Sequence, residues 1–361
     1  MKHKLKKVFS SIALLLLLLL LAIAYVPITF GHKIGTNDYS NIIGEANLAS
    51  TTLVTDIAML GAHDAFSDEI NLLSKPDPGE SGVTANKFVN ALFKGGMVRV
   101  TRAQKNGAGI LLKSGVRYFD ARVSFVGDKW MTKHGLLSGY LSTYLTDIYD
   151  FLNSHPKEFV VFDLQHIYLG EKSAMDFLDY LMTTRINEQT FADFIHYDTS
   201  INALADLNYE DVISSERGGI IFLANPGEIS NEYKNKIYIR GDGEENLVSI
   251  RSKWHDVIKE VDLISKIDLE ASYIKNQGLT GMFFVNQAQL TPDYFEYPLE
   301  TILKWSLLDL AKKSNVTLIK NENFHDWLSV MPIFMVDFAN TNYQNFNTLI
   351  IEQILEYNKS L

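Results

Sequence analysis

Seven short apolar runs, each set off from the next by a polar or amphipathic stretch, do most to limit what this 361-residue chain can become. They cover residues 56–61, 116–123, 159–164, 219–224, 282–286, 316–319 and 333–338. Within them apolar residues follow one another instead of alternating with polar ones, as in strands buried on both faces. Helical spacing fills the intervals. Leu141, Tyr144, Leu145, Ile148, Phe151 and Leu152 share one face, and His155-Pro156 closes that segment. Further helices are expected over 300–312 and 345–357. Strands covered on both faces and alternating with helices specify a parallel α/β sheet, closed or doubly wound. No G-x-G-x-x-G follows the first run and no G-x-x-x-x-G-K-[ST] occurs, so nucleotide-binding versions lose support. The expected fold is a single irregular (β/α)8 TIM-type barrel, which places chemistry at the C-terminal ends of the strands.

Composition narrows the chemistry. With 47% apolar and 21% charged residues, disorder throughout the chain is excluded. The absence of cysteine removes disulfides, thiolate metal sites and a thiol nucleophile. A net charge of -10 argues against general nucleic-acid binding, which needs a basic face, but leaves room for a local cationic pocket.

The N-terminus reads as an export segment. Lys2, Lys4, Lys6 and Lys7 precede an apolar run over residues 8–30 that includes eight successive leucines, Leu14 to Leu21. Ala22-Ile23-Ala24 offers a cleavage site, and the run also has the roughly 20 residues needed to span a bilayer. Residues 1–30 are therefore expected to be a signal peptide or a membrane anchor, with a catalytic barrel over 31–361 secreted or held at the outer face of the membrane. Four Lys and no acidic residue fall in residues 1–24, so the remainder carries -14.

Ionisable groups interrupt the ends of the apolar runs. Leu60 leads into Gly61-Ala62-His63-Asp64, the second run ends Phe119-Asp120-Ala121-Arg122, and Lys133-His134-Gly135 follows. Asp120 and Arg122 are two apart, so in a strand they share a face. An acid and a base turned into a barrel interior are costly unless paired or used. Alone, either His reads as a turn residue and Asp120 with Arg122 as a structural ion pair. Together, two histidines at separate strand ends with one Arg and several carboxylates supply a general base, a general acid and a phosphate anchor.

The stretches Leu60-Gly-Ala-His-Asp64, Gly115-Val-Arg-Tyr-Phe-Asp-Ala-Arg122 and Lys133-His-Gly135 resemble the X region of phosphatidylinositol-specific phospholipase C. Phe159-Val-Val-Phe-Asp-Leu-Gln165 resembles the following strand, and Phe334-Met-Val-Asp-Phe338 and Tyr357-Asn-Lys-Ser-Leu361 resemble the small secreted bacterial enzymes. The resemblance implies cleavage of phosphatidylinositol or a glycosylated form to diacylglycerol and a cyclic inositol phosphate. His63 would be the general base and His134 the general acid. Arg122 would neutralise the nonbridging oxygens, Asp337 would hold His63, Asp64 would support His134, and Asp120 would buttress Arg122. Calcium-dependent relatives place oxygen ligands where this chain has Asp64, Asp120, Arg122 and Gln165. A fixed cation at 122 and an amide at 165 favour metal-free catalysis, with calcium a minor alternative that Asp163 keeps open. The expected partner is a phospholipid at a membrane surface, with no nucleic acid and a monomeric chain.

Departures from the pattern fall on the head group. The bacterial enzymes use a Lys near position 165, an Arg near 224–225 and an Asp two before an aromatic ring. This chain has Gln165, Ala224-Asn225 and Ser252-Lys253-Trp254. Gln165 and Trp254 are kept as substrate-binding candidates, Trp254 for stacking on a sugar face. His155, His166, His196, His255 and His325 carry no motif, Arg117 and Lys113 read as surface or salt-bridge residues, and packing is the expected role of Tyr294, Phe295 and Tyr297. Two rivals stand beside the phospholipase reading. One is a metal-dependent phosphodiesterase of the glycerophosphodiester or sphingomyelinase-D type, which needs a Glu-x-Asp where this chain has Asp120-Ala-Arg122. The other is a catalytically inactive lipid- or glycan-binding barrel.

Overall fold

In the computed structural model, which describes residues 2–29, 35, 37–81, 85–199, 204–225, 227, 230–241, 247–292 and 298–361, eight parallel strands form one curved sheet. In chain order the strands are β1 (Met59–Ala62), β2 (Val116–Val126), β3 (Lys129–His134), β4 (Leu136–Tyr140), β5 (Phe159–Tyr168), β6 (Gly219–Ala224), β7 (Tyr238–Ile239), β8 (Ile250–Ser252), β9 (Phe283–Gln287) and β10 (Ile333–Val336). The sheet runs β7-β6-β5-β2-β1-β10-β9-β8, with every neighbouring pair parallel. Among the described residues β7 and β8 are not paired, so the barrel is open along one seam. β3 and β4 stand off this path as antiparallel additions to β2.

Six of the seven apolar runs are strands. The run at 316–319 is the exception, because it forms the last turn of the helix Leu307–Ile319. Three apolar residues around Thr317 fit a strand or a buried helical turn equally well, and here Leu307, Leu310, Ala311, Ser314 and Leu318 extend one buried helical face through them. The helix expected over 300–312 is likewise two, Pro298–Lys304 and Leu307–Ile319, broken at Trp305-Ser306. The helices Leu141–Ser154 and Phe346–Lys359 follow their apolar spacing. β7 and β8, at two and three residues, are too short to leave a pattern.

Two local devices shape the working end. A Cβ on Gly61 would stand 3.0 Å from the Tyr118 ring and 3.1 Å from Met335 Cβ, so glycine lets β1 sit close between β2 and β10. The β2–β3 hairpin turns on Gly127 and Asp128, both at positive φ (57° and 60°), as a tight two-residue turn between twisted strands requires. That hairpin returns the chain to the mouth of the barrel. At the other end, Arg117 is buried, not on the surface. Its Nε lies 2.7 Å from Glu158, and its guanidinium also donates to the carbonyls of Leu112, Val116, Tyr39 and Ser40. Glu158 in turn accepts from the Ile43 and Gly44 amides, fastening the segment before β1 to the barrel base.

The N-terminal segment is a helix, Lys2–Thr29. Its described side chains, within Lys6 to Leu20, do not make a stretch long and apolar enough to cross a membrane. Val8, Phe9, Ile12, Leu14 to Leu17 and Leu19 are exposed. Tyr294, Phe295 and Tyr297 lie outside the described residues.

Candidate active site

Strand pairing brings the first two site residues together. Ala62 lies opposite Val336 in the β1–β10 pair, so the next residues, His63 and Asp337, leave their strands side by side. His63 Nδ1 lies 2.7 Å from Asp337 Oδ1. A carboxylate accepts, so Nδ1 carries the proton and Nε2 is the exchangeable position. Gln104 ties the two strand ends by donating to the carbonyls of His63 (2.8 Å) and Val336 (3.0 Å) and accepting from the Ala339 amide. Asn315 donates to the Asp337 carbonyl. Asp64 follows in the left-handed region (φ 42°), a strained setting for a non-glycine residue that places its carboxylate under the site.

Asp120 and Arg122 project from β2 across a register shift that falls between Ala121 and Arg122. Asp120 holds the guanidinium with two hydrogen bonds, from Nε (3.2 Å) and Nη2 (3.1 Å). Asp64 Oδ1 is 2.7 Å from Arg122 Nε, and its Oδ2 is 3.0 Å from His134 Nε2 and 3.3 Å from His63 Nε2. Neither Asp64 oxygen receives a properly directed hydrogen bond, so these are charge contacts of a fully buried carboxylate. His134, delivered by β3, donates from Nδ1 to the Thr101 carbonyl at 2.8 Å, which leaves its Nε2 exchangeable as well. Neighbouring Lys133 turns away to Asp77, 2.6 Å from its Nζ.

The cluster sets its own protonation. Burial works against a charged His63, but Asp64, Asp337 and Asp120 outweigh it and raise its pKa to about 9. Once that proton leaves, Nε2 faces Arg122 Nη2 at 3.4 Å, and the guanidinium can donate to it. His134 is pushed down by burial and by the positive charges of Arg122 and His63, against the pull of Asp64. Burial opposes ionisation of Asp120, yet Arg122 and His63 hold its pKa down to about 2.

His63, Arg122, His134 and Asp337 line one cavity of about 560 Å³ at the C-terminal end of the barrel, together with Gln165 and Trp254. Asp64 and Asp120 lie fully buried against it. All eight candidate residues thus gather at one place. The two imidazole centroids are 6.1 Å apart, with Arg122 against His63. Trp254 is 48% exposed and is braced by a hydrogen bond from its Nε1 to Thr291 Oγ1. His63, Asp64 and Asp120 also form a set whose potential metal-ligand atoms lie within 4.8 Å of one another.

Several residues here had no signal in the sequence. Glu80, His166, Gln287 and Gln289 line the cavity, Thr101 orients the His134 ring and Gln104 holds the His63 backbone. His166, which carries no motif, stands exposed at the cavity. Gln287 shares the inner face of the barrel because its strand pairs with β10, a long-range fact. Asp163 is already engaged, held by Arg240 and by the Tyr118 hydroxyl (2.5 Å).

No family model matches the chain. A variant-surface-glycoprotein phospholipase C of Trypanosoma cruzi is 25% identical over 300 residues, covering 79% of this chain and 74% of that protein. PI-PLC X domain-containing protein 3 of Danio rerio is 26% identical over 246 residues, 66% of this chain and 70% of its own. A solved phosphatidylinositol-specific phospholipase C of Staphylococcus aureus superposes with a TM-score of 0.58 at 14% identity, over 88% of this chain and 97% of that one. The fold is that of the phosphatidylinositol-specific phospholipases C. In sequence, the barrel is similar to proteins from a trypanosome and from animals.

Proposed function

We propose that the protein is a phospholipase C that cleaves phosphatidylinositol or a glycosylated form of it, giving diacylglycerol and a cyclic inositol phosphate. One observation carries the reading: two imidazoles with exchangeable Nε2 positions flank a guanidinium in a single cavity at the mouth of the barrel. His63 Nε2 takes the proton of the hydroxyl next to the phosphodiester. That oxygen attacks phosphorus within the same molecule, so the nucleophile is already in place. Arg122 faces the nonbridging oxygens as charge builds on them. His134 Nε2 gives its proton to the departing glycerol oxygen, and the P–O bond to glycerol breaks. Phosphorus NMR of the protein with phosphatidylinositol vesicles tests this directly. The expected result is a cyclic phosphodiester signal, and an intact substrate overturns the reading.

The reaction is proposed to need no metal. His63, Asp64 and Asp120 could hold a divalent ion only by displacing Arg122, whose guanidinium lies against both carboxylates. Asp163, the further acid in the neighbourhood, is occupied by Arg240 and Tyr118. The set does not fit calcium while Arg122 is in place. Turnover is therefore expected to be unchanged in excess EDTA, and loss of activity restored by calcium would refute this.

The proposed roles need His63 without its ring proton on Nε2 and His134 with it, the reverse of the order favoured in the substrate-free site. Such a pair titrates jointly, and kcat/KM follows a bell. Activity falls at low pH, where both rings are charged, and again above about 9, where the pair loses its last proton. Asp337→Asn removes a carboxylate that holds the His63 proton, so the alkaline limb is expected to move to lower pH. A limb that stays in place under that substitution contradicts the assignment.

Residues 1–30 are proposed as an export signal or outer-face anchor, on the strength of the four Lys before the leucine run and the exposed leucines of the helix. The barrel over 31–361 would then act as a monomer on a membrane surface. Fractionation of the expressed full chain, with N-terminal sequencing, distinguishes removal from retention.

A further inference from the structure

Strand β5 carries one residue more than its partner β2, and the excess turns a third imidazole into the cavity. Asp120 stands opposite Asp163 and Ala121 opposite Leu164, but Arg122 stands opposite His166, with Gln165 left over between the pairs. Residues paired across two strands point to the same side of a sheet, and a slip of one residue exchanges the sides. Arg122 lines the cavity, so the bulge sets His166 on the cavity side, whereas an unbroken β5 would have turned it away. Bulges beside a site serve to re-aim a side chain in this way. The shifted register continues through Ser124 and Tyr168, and the Tyr168 ring lies against Gly79, so the segment leading to Glu80 covers the same face. His166 is exposed at the cavity, and among the described residues no hydrogen bond or salt bridge takes up its ring. Removal from bulk water by the cavity walls, and then the charge of Arg122, push its pKa down against the pull of Asp120. An uncharged imidazole offers one donor and one acceptor.

We propose that His166 is a specificity-determining residue whose ring hydrogen-bonds a head-group hydroxyl flanking the phosphodiester, on the β5 side of Arg122. This deepens the proposed function and rests on it. A hydroxyl both donates and accepts, as a neutral imidazole does, whereas a phosphate oxygen only accepts. The anionic group already has its cation in Arg122, which Asp64 and Asp120 hold in place. His166 also lacks the support that the other two rings have. His63 is held at Nδ1 by Asp337 and His134 by the Thr101 carbonyl, which fixes the nitrogen that exchanges a proton. A ring with neither partner is free to settle on a ligand. It favours head groups carrying a hydroxyl beyond the one that attacks phosphorus.

His166→Phe keeps a flat ring and removes both nitrogens, and His166→Gln returns a donor and an acceptor without the ring. Two soluble inhibitors of phosphatidylinositol cleavage separate this subsite from the phosphate anchor: myo-inositol for the head-group side and inorganic phosphate for Arg122. In the Phe variant inhibition by myo-inositol is expected to weaken about tenfold, the scale of one hydrogen bond. Inhibition by phosphate should not change, and KM for phosphatidylinositol should rise more than kcat falls. The Gln variant should recover part of the lost inositol inhibition. Circular dichroism should show both variants folded, because the side chain is exposed. A folded Phe variant inhibited by myo-inositol as well as the wild type overturns the proposal. So does weakening of phosphate inhibition alone, which puts the ring on the phosphate, and so does equal weakening of both inhibitors, which marks an effect through Arg122. A fall in kcat at unchanged KM also overturns it, by assigning the ring to the chemistry. Each of these leaves the reaction class intact, whereas no turnover of phosphatidylinositol by the unmodified protein refutes the proposed function and this assignment with it.

Discussion

Replacing His63 or His134 with alanine is expected to leave only a residual cleavage of phosphatidylinositol, each substitution lowering kcat by on the order of 10²–10⁴-fold. The two rings differ in surroundings. His63 is held by Asp337 at 2.7 Å and is nearly enclosed by carboxylates, which suits a ring that becomes charged as it takes a proton. His134 is held through Nδ1 by a neutral carbonyl and is pushed toward its uncharged form, which suits a ring that readily gives a proton up. Because both transfers serve one displacement at phosphorus, the double variant should be little worse than the poorer single one. Circular dichroism should show all three variants folded, since neither ring contributes to the apolar core. Initial rates on phosphatidylinositol vesicles provide the measurement, and a folded His134→Ala protein with normal turnover would remove the general acid from the scheme.

Arg122→Lys carries the second large expected effect, a fall in kcat of about 10²–10³-fold, comparable to losing a hydrogen-bond donor to the transition state. The charge survives, so an effect this large depends on geometry. Asp120 holds the guanidinium through two parallel hydrogen bonds, which fixes the plane of the remaining donors toward the cavity. An ammonium has no such plane and would settle between Asp64 and Asp120. Inhibition by inorganic phosphate should weaken in parallel with kcat, and near-normal kcat in the Lys variant would show that charge alone suffices. Arg122→Ala is a poorer probe, because it leaves Asp64 and Asp120 buried without their cation, a change that typically costs about 3–5 kcal/mol in stability.

Much of the site was legible because its residues sit where strands end. His63, Asp64, Asp120 and Asp337 interrupt apolar runs, and an ionisable residue in such a place is conspicuous in any buried sheet. Arg122 could be placed on the same face as Asp120 by counting two, and the structure keeps them in contact across a register shift. His134 was legible as a motif, but its route to the site was not. It arrives on β3, an antiparallel hairpin strand whose sequence Lys-Trp-Met-Thr-Lys-His shows neither an apolar run nor a strict alternation. Gln287 and Gln289 were invisible for a different reason. Amides in a strand and the loop after it carry no chemical signature, and only the order β10-β9-β8 sets them beside Trp254.

The seven apolar runs still frame the molecule, and six of them became strands. By itself the chain's pattern of burial determined a parallel α/β sheet and the strand ends that would carry chemistry, because unbroken apolar strands must be covered on both faces and polar residues collect where they stop. The tertiary structure alone decided that 316–319 is helical, that among the described residues β7 and β8 do not pair, and which way the amides of Gln287 and Gln289 point. Each of these depends on a partner distant in the chain: the packing face of a helix, the pairing of a two-residue strand, or a carbonyl 35 residues away. Periodicity reports how one segment meets its surroundings, whereas hydrogen-bond direction is set by whichever group the fold brings opposite.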